Sequence, residues 1–278
     1  MTTPREEFYS PTDRELLRVN NLENFTKLWQ AELEWFEPPN YRRSGWSGAA
    51  RYELRQENGE MIGVFIKRQE NHLRRTLKYP KGCPTFRIEW QNLKKLIKYQ
   101  IPVPRPLYYG EHYQDGKPQA ILITYELKGF SSLDEWLKGD RSQGGNQRLR
   151  IDVLPAIADT IRRFHDHRFR HNSLYPKHIM LKVRRDGNLT ATDASLIDLE
   201  KSRRVFSPMG ARIRDLDTLF RRCPEWSSHE KDLFLNHYLK AGLEHLPPPQ
   251  LAAELWKVPL VKWVKRRIAA KLKKRVRR

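Results

Sequence analysis

The sequence predicts an α+β chain built in two parts, a small strand-rich first part and a larger helical second part. Residues 50–67 hold two apolar runs joined by a hairpin signal, and helical apolar spacing dominates beyond residue 131. The length of 278 residues suits two lobes that share a cleft better than one small core. We predict an N-terminal extension at residues 1–40 and a first lobe at residues 41–128. A second lobe follows at residues 129–255, and a basic tail at residues 256–278.

The first part is predicted to hold a hairpin, a helix and a buried strand. Asn58-Gly59 is the strongest short hairpin signal, and it lies between apolar runs at residues 50–54 and 61–67. A basic excursion follows at residues 68–82, and a helix is predicted at residues 86–99. The IPVPRP stretch, residues 101–106, predicts an extended connection, and residues 120–127 predict a buried strand.

Helical periodicity predicts most of the second part. Apolar residues such as Ile157 and Ile161 recur at helical spacing and predict a helix over residues 151–169. Ser227 and Glu230 have the spacing of a capping box at the start of a later helix. A short helix is also predicted at residues 131–138. The late hairpin has its strands at residues 179–183 and 195–199, and the two final helices are predicted at residues 211–222 and 229–241.

The composition indicates a folded and strongly basic protein. Apolar residues make up 38% of the chain, which is enough to build an interior. The two cysteines, Cys83 and Cys223, follow no metal or redox spacing and suit a reducing compartment. The sequence has no apolar leader and no membrane-spanning run, so we expect a cytoplasmic protein. The formal net charge of +20 favours nucleic acid, an anionic membrane or a polyanionic substrate as partner.

Two charged residues of the first part are predicted to pair. Lys67 ends the apolar run Val64-Phe65-Ile66, which is similar to the VAIK strand of protein kinases. Glu89 lies on the apolar stripe of the predicted helix, where an unpaired carboxylate would cost several kcal/mol. A lysine on an earlier strand is the partner that kinases use for this acid. The alternative is that Glu89 lies at the edge of the stripe and reaches water.

Three further segments carry candidate site residues. The small residues Gly45, Ser47 and Gly48 would let backbone amides approach phosphate groups, with an ordinary turn as the alternative. The run HNSLYPKH, residues 171–178, follows a long helix and aligns without gaps on the kinase catalytic loop HRDLxxxN. Asp198 ends an apolar run of the late hairpin, where kinases place the aspartate that binds the metal.

At these residues the chain resembles the lipopolysaccharide core kinases, the Kdo/WaaP family, and most closely their InaA-like branch. The similarity is carried by FIKRQENHLRRTLKYPKGCPTFRIEW, HNSLYPKHIM, LIDLEKSRR and RDLDTLFRR, and it covers about residues 42–240. It implies a protein-kinase-like, two-lobed fold that uses ATP and Mg²⁺. It also implies an acceptor in the lipopolysaccharide inner core. The protein would reach this acceptor at the cytoplasmic face of the inner membrane of a Gram-negative bacterium.

The resemblance implies a role for each matching residue. Lys67 would hold the nucleotide phosphates, Glu89 would orient Lys67, and Asp198 would bind the metal. His178 would stand at the second metal position and contact the nucleotide. The other residues that the match assigns are the nucleotide contacts Gly45, Ser47, Gly48 and Glu126 and the supports of the catalytic loop, His171 and Asp215.

Two positions depart from the kinase pattern. The catalytic base, an aspartate in kinases, is Ser173, which cannot accept a proton at neutral pH, and the second metal position, usually Asn, is His178. Because phosphoryl transfer depends mostly on positioning and charge stabilisation, loss of the base need not abolish it. Asp166, His167 and His171 are candidate substitutes. Two hypotheses stay open: a kinase acting on a lipid-linked sugar, and a nucleotide-binding pseudokinase or scaffold of envelope biogenesis.

Two basic segments indicate anionic partners. One is the excursion that contains Arg74, Arg75, Lys78 and Lys81, which is either a solvated loop or an element for acceptor recognition. The other is residues 256–278, where apolar residues recur every four positions among eleven Lys or Arg and no acid. That pattern predicts a basic amphipathic helix on the anionic inner-membrane surface, with a helix packed on the second lobe as the alternative. Nucleic-acid binding is not favoured, because no recognition motif accompanies the charge.

Overall fold

The computed structural model describes residues 4–36, 38–42, 45–187, 189–206, 208–239 and 266. Within these residues the chain is a mixed α/β protein that divides into two compact units. Unit 1 comprises Met1–Lys128 and Asp198–Ser202, and unit 2 comprises Gly129–Ile197 and Arg203–Arg278. A short piece of the chain that follows the late hairpin therefore belongs to the first unit.

Unit 1 is built on an antiparallel sheet. Its described elements are β1 (Arg5–Phe8), α1 (Pro11–Val19), α2 (Phe25–Gln30), β2 (Asn40–Arg42), β3 (Gly45–Arg55), β4 (Met61–Glu70), β5 (Leu73–Arg74), β6 (Cys83–Pro84), α3 (Thr85–Lys98), β7 (Pro106–Gln114) and β8 (Lys117–Tyr125). Six of these strands form one sheet in the order β1-β7-β8-β4-β3-β2, and β5 pairs with β6 separately. The sheet order places β4 between β3 and β8, which buries its inward side chains.

The hairpin of β3 and β4 forms as the sequence predicts. Gly59 adopts a φ of +86°, which glycine reaches without steric cost, and the Gln56 amide donates to the Glu60 carbonyl at 2.8 Å. Both strands extend beyond the predicted apolar runs, because β3 also pairs with β2 and β4 also pairs with β8. The Asn58-Gly59 signal therefore fixed the turn, while the neighbouring strands set the lengths.

The start of α3 is capped by a side chain from β4. The residue before the helix is Pro84, which has no side-chain group to accept a hydrogen bond. Instead, the buried Gln69 Oε1 accepts from the Phe86 amide at 3.0 Å and from the Thr85 hydroxyl at 2.9 Å. Because Gln69 lies two residues after Lys67 on the same strand, both side chains point to the same face of the sheet. The cap thus fixes α3 beside the strand of Lys67.

Residues 5–30, which the sequence analysis placed in an N-terminal extension, pack on the sheet of unit 1. Strand β1 pairs with β7, and Leu17 of α1 is fully buried. The buried Asp13 carboxylate accepts two hydrogen bonds from Arg105, both at 2.8 Å, and one from the Tyr125 hydroxyl at 2.5 Å. These contacts attach α1 to the residue that precedes β7 and to the last residue of β8.

Unit 2 is mostly helical, with one long hairpin. Its described elements are β9 (Ser131–Ser132), α4 (Leu133–Ser142), α5 (Gln147–Asp152), α6 (Leu154–Asp166), β10 (Phe169–Arg170), β11 (Ile179–Asp186), β12 (Leu189–Leu196), β13 (Arg203–Arg204), α7 (Pro208–Arg222) and α8 (Ser228–Leu239). Strands β12, β11 and β9 form one sheet in that order, and β10 pairs with β13. The apolar stripe of α6, including Ile157, Ile161 and Phe164, is fully buried.

The predicted single helix over residues 151–169 is wrong, because two helices occupy this stretch. Helix α5 ends at Asp152, and α6 begins at Leu154 with Pro155 in its first turn. Proline suits the first turn of a helix, where its missing N–H needs no partner, and disfavours a helical residue before it. The predicted capping box is confirmed: the Ser227 amide donates to Glu230 at 2.7 Å, and the Glu230 amide donates to the Ser227 hydroxyl.

The helices in the part of the chain that the structure describes are too short or too polar to cross a bilayer. The predicted end of the last helix, residues 240–241, and the predicted basic amphipathic tail lie outside the described residues, apart from Arg266.

Candidate active site

The predicted ion pair of unit 1 is present. Lys67 Nζ lies 2.7 Å from Glu89 Oε1, and the Glu89 side chain is only 4% exposed. Lys67 is held in the middle of β4, opposite Ala49 of β3 and Leu122 of β8. Glu89 lies on the buried face of α3, as its place on the apolar stripe predicts. The alternative in which Glu89 reaches water is therefore wrong.

Burial and charge act against each other in this pair. Burial alone would lower the pKa of Lys67, but the carboxylates of Glu89 and Asp198 outweigh it and raise that pKa. Lys67 therefore stays protonated. Burial raises the pKa of Glu89, and the negative charges of Asp198 and Glu200 add to this effect although Lys67 opposes it. One lysine thus neutralises only part of the negative charge around it.

The segment that begins with Asp198 is fastened to α3. Asp198 adopts the left-handed conformation with a φ of +58°, and a short 3₁₀ turn, Leu199–Lys201, follows it. The buried Asn92 side chain donates to the carbonyls of Leu199, at 3.0 Å, and Ser202, at 2.9 Å. Sequence reasoning missed Asn92, although it lies next to Leu93 on the buried stripe, where a polar residue needs a partner. The segment of Asp198 is thereby attached to α3, the helix that carries Glu89.

Arg74 and Glu200 of unit 1 lie near the charged group of Lys67, Glu89 and Asp198. Arg74 donates to the Glu200 carbonyl at 2.7 Å, so the basic excursion also holds the 198–202 segment. Burial raises the pKa of Glu200, and the neighbouring Asp198 raises it further. Three carboxylates therefore surround Lys67, and Glu89 Oε2 is buried with no hydrogen-bond partner among the described residues. Such a donor set attracts additional positive charge, which is the property that a magnesium–nucleotide site needs.

The predicted glycine-rich loop is a strand. Gly45, Ser47 and Gly48 lie at the start of β3, which pairs with β2 on one edge and β4 on the other. A strand with partners on both edges uses its amides in the sheet and has none left to cradle a phosphate. Gly48 has a packing role instead, because a Cβ there would lie 2.7 Å from the Trp35 ring. The turn that joins β2 to β3, residues 43–44, lies outside the described residues.

Glu126 follows β8, and its carboxylate is engaged elsewhere. Arg51 donates two hydrogen bonds to this carboxylate, both at 2.9 Å. The Glu126 amide donates to the Gly63 carbonyl. A Cβ at Gly63 would lie 1.8 Å from Glu126 Oε2, so a larger residue there would displace the Glu126 carboxylate from this ion pair. Any contact of Glu126 with a nucleotide would therefore have to come from its main chain.

In unit 2, Asp215 supports the loop of residues 171–178. Its carboxylate accepts from the His171 amide at 2.6 Å and from the Asn172 amide at 3.1 Å. Asn172 has a φ of +66°, a conformation that this anchoring stabilises. Burial alone would raise the pKa of Asp215, but the hydrogen bonds from His165 and His171 lower it overall. The geometry agrees with the supporting role that the resemblance implies for Asp215.

Two residues that sequence reasoning missed complete this support. His165 Nε2 lies 3.2 Å from Asp215 Oδ2, and its Nδ1 lies 2.8 Å from the Tyr238 hydroxyl. All three side chains are buried. Because a carboxylate only accepts, the Nε2–H of His165 donates to Asp215; in that neutral tautomer Nδ1 carries the lone pair and accepts from the Tyr238 hydroxyl. No local pattern pairs these residues, since 73 positions separate His165 from Tyr238.

The residues of the loop itself are tightly enclosed. Ser173 is 2% exposed, and its carbonyl accepts from the Tyr175 amide at 2.8 Å and lies 2.8 Å from His178 Nδ1. The Nδ1 of His178 must therefore carry the proton, which leaves the lone pair of the neutral ring on Nε2. That tautomer is the one a metal-binding histidine would need.

The candidate substitutes for the missing base have other tasks. Asp166 pairs with Arg162 at 3.0 Å and with Arg212 at 2.5 Å. His171 is fully buried, and its Nε2 donates to the Ile197 carbonyl at 3.0 Å. His167 ends α6 as its C-cap residue. These contacts engage the side chains of Asp166 and His171 within unit 2.

Magnesium fits this donor set only together with phosphate. In the described part of the chain, no group of three or more His, Cys, Asp or Glu is placed to hold a metal by itself. Magnesium characteristically takes one or two protein carboxylates and completes its shell with phosphate oxygens and water. Asp198 meets that requirement, beside the carboxylates of Glu89 and Glu200.

Comparison with known proteins gives a consistent result. The model of the lipopolysaccharide kinase (Kdo/WaaP) family matches residues 26–238. Protein InaA of Escherichia coli (strain K12) is 33% identical over 183 residues, which cover 66% of this chain and 80% of that protein. The solved structure of WaaP in complex with acyl carrier protein matches with a TM-score of 0.65 at 20% identity, over 95% of this chain and 97% of that one. This last likeness confirms the predicted protein-kinase-like fold.

The family match extends from α2 to α8 and so includes parts of both units and every candidate site residue. It also agrees with the resemblance that the Lys67, Asp198 and 171–178 segments carry. The protein therefore belongs to the lipopolysaccharide kinase (Kdo/WaaP) family.

Proposed function

We propose that the protein is an ATP-dependent kinase that phosphorylates a sugar hydroxyl in the heptose region of the lipopolysaccharide inner core. The observation that carries this proposal is the buried Lys67–Glu89 pair, with Asp198 fastened to the same helix. The Lys67 side chain is 20% exposed and stays charged beside the buried Glu89, so its ammonium group can meet an anionic ligand, and phosphate is the ligand that the family implies.

The residues of unit 1 would bind and orient the nucleotide. Glu89 holds the ammonium group of Lys67 at 2.7 Å, so that Lys67 meets the phosphates with its side chain already ordered. Asn92 and Arg74 keep the segment of Asp198 in place by direct hydrogen bonds. Asp198 would hold Mg²⁺ with the phosphate oxygens, and the ion would neutralise charge on the transferring phosphoryl group.

The residues of unit 2 would order the acceptor side. Asp215 fixes the main chain at His171 and Asn172, and the His178 tautomer is set by the Ser173 carbonyl. Ser173 cannot remove a proton from the acceptor, so catalysis would rest on positioning and charge stabilisation. General-base assistance is typically worth about 10²–10⁴-fold, and we therefore expect a slow kinase.

The test uses purified protein, ATP and a heptose-containing inner-core acceptor. Lys67→Ala should lower kcat/KM by about 10²–10³-fold, because a preorganised charge at the phosphates is lost. Lys98→Ala, an exposed lysine of the same unit, is the matched control and should leave kcat/KM unchanged. A phosphate inventory of lipopolysaccharide from cells carrying each variant repeats the test in vivo. Equal activity of the wild type and Lys67→Ala would exclude this kinase mechanism.

A second candidate is a pseudokinase that binds nucleotide without transferring phosphate. The observation that favours it is Ser173, a buried hydroxyl where kinases carry the catalytic aspartate. In this case ATP would raise the melting temperature of the wild type and not of Lys67→Ala, while no acceptor is phosphorylated. A large gain of activity in Ser173→Asp would indicate that an ancestral chemistry had been lost.

We also propose that the protein works peripherally on the cytoplasmic face of the inner membrane, through residues 256–278. The support is their charge, eleven Lys or Arg without an acid, and the apolar repeat of the sequence. Flotation with anionic liposomes, with and without these residues, tests the proposal. Equal flotation of both forms would show that the tail is not the anchor.

A further inference from the structure

The basic excursion of unit 1 is an ordered hairpin with an apolar tip. We name residues 73–84, from β5 through β6, the basic hairpin. Leu77 at its tip is fully exposed, and Leu73 is 39% exposed. A single exposed leucine is common on protein surfaces, but a leucine with no packing at all on an ordered turn is not explained by the fold.

Internal contacts hold the tip in one shape. The amides of Thr76 and Tyr79 donate to each other's carbonyls at 3.1 and 3.0 Å, and the Gly82 amide donates to the Tyr79 carbonyl. The Tyr79 hydroxyl accepts from the Gln91 side chain of α3 at 3.0 Å. The base of the hairpin is attached by Arg74, which donates to the Glu200 carbonyl. The turn therefore presents Leu77 outward without the cost of ordering a loose loop.

The charges around the tip have one sign. Arg75, Lys78 and Lys81 are exposed on the hairpin, and the sequence has no acidic residue between Glu70 and Glu89. Arg74 is not available to a ligand, because it is engaged with the 198–202 segment. An exposed apolar residue with cations on both sides is complementary to a surface that carries negative charge outside and an apolar layer beneath.

We propose that the basic hairpin docks unit 1 on an anionic lipid bilayer, with Leu77 inserted below the headgroups and Arg75, Lys78 and Lys81 among the phosphates. A bilayer offers both parts of this chemistry within a few ångströms, since its acyl boundary lies just below a negatively charged surface. Single-stranded nucleic acid offers phosphates but is typically bound with exposed aromatic rings, and the Tyr79 ring is covered by Lys78 and Arg87; a duplex has no apolar layer for Leu77. The docking does not depend on phosphoryl transfer.

The decisive experiment locates the tip and does not rely on affinity alone, because other basic segments also bind vesicles. Leu77→Cys carries an environment-sensitive dye on the full chain, and Leu189→Cys, an exposed leucine of the unit 2 hairpin, is the matched control. The native thiols are buried, and burial raises the pKa of Cys223 to about 12 and also raises that of Cys83, so both react slowly. The vesicles contain phosphatidylcholine, with or without phosphatidylglycerol.

On vesicles with phosphatidylglycerol, the dye at position 77 should shift to the blue and be quenched by lipid-borne quenchers, while the dye at position 189 should not. Arg75→Glu with Lys78→Glu should weaken binding by about tenfold or more at low salt, and Arg141→Glu with Arg185→Glu should have a smaller effect. Binding that leaves the dye at position 77 in water, an equal response on neutral vesicles, or no binding would each overturn the proposal. A blue shift produced instead by single-stranded nucleic acid or by soluble inner-core sugar would assign the hairpin to that ligand and would equally overturn it.

Discussion

Two buried carboxylates, Asp215 in unit 2 and Glu89 in unit 1, are held in opposite ways. Asp215 accepts from two backbone amides and from His165, and its pKa is lowered despite burial. Glu89 has a single partner, Lys67, and its second oxygen is buried without a hydrogen bond among the described residues. Its pKa is raised. One carboxylate is fully satisfied by its own unit, and the other is not.

This difference is the one expected between a carboxylate that supports the fold and a carboxylate in the proposed nucleotide site. A satisfied carboxylate contributes to the stability of the loop it anchors, and it has no further capacity to bind. A carboxylate with an unused oxygen, in a cluster with surplus negative charge, costs stability until a cation arrives. The comparison therefore predicts opposite responses of the two sites to mutation and to pH.

The largest effect is expected from Asp215→Ala. The substitution leaves the amides of His171 and Asn172 and the Nε2–H of His165 buried without an acceptor. Breaking such a network should lower the free energy of unfolding by about 3–5 kcal/mol, measured by urea denaturation. Asp193→Ala, in the hairpin of the same unit, removes an exposed ion pair with Arg184 and should cost only about 0.5 kcal/mol. Similar losses in the two variants would contradict the role given to Asp215.

A smaller effect, of opposite sign at the two sites, is expected when pH is varied. Since the pKa of Asp215 is lowered from 3.8, the folded state releases its proton more readily than the unfolded state does. The stability advantage of the wild type over Asp215→Asn is therefore present above about pH 4 and is lost as pH falls through the folded pKa. The pKa of Glu89 is raised from 4.5, so the advantage over Glu89→Gln is greatest below that value and declines as pH rises.

Urea midpoints of the wild type and both variants, measured from about pH 3 to about pH 8, give the two differences. Subtracting each variant from the wild type removes the contribution of all other carboxylates. If the two differences change with pH in the same direction, the contrast between a satisfied and an unsatisfied carboxylate is wrong.

Local signals in the sequence predicted the features that depend on near neighbours. Asn58-Gly59 located a hairpin, the Ser227–Glu230 spacing located a capping box, and the stripe of α3 placed Glu89 on a buried face. The buried place of Glu89 also predicted that a cation lies nearby, and the kinase pattern identified that cation as Lys67. These inferences need only backbone periodicity and the cost of burying charge.

The features that sequence reasoning missed depend on distant parts of the chain. Gly48 looked like part of a phosphate loop, but its small size accommodates Trp35. Asp13 meets Arg105 across 92 positions, and no local pattern predicts that the first helix joins the sheet. Strand β7 was not predicted, because Tyr108 and Tyr109 are buried in a stretch that shows no alternation of polar and apolar residues.

The smallest effect is expected from Tyr238→Phe, which removes the hydroxyl that donates to His165 Nδ1 at 2.8 Å. Because the ring stays buried, only one hydrogen bond is lost, and the free energy of unfolding should fall by about 1–1.5 kcal/mol. Tyr113→Phe, at a half-exposed tyrosine of β7, is the matched control and should be neutral. Combining Tyr238→Phe with Asp215→Asn sharpens the result, because residues in one network should show a coupling of about 0.5–3 kcal/mol. Strict additivity would mean that Tyr238 supports α8 alone, and that the support of the 171–178 loop ends at His165.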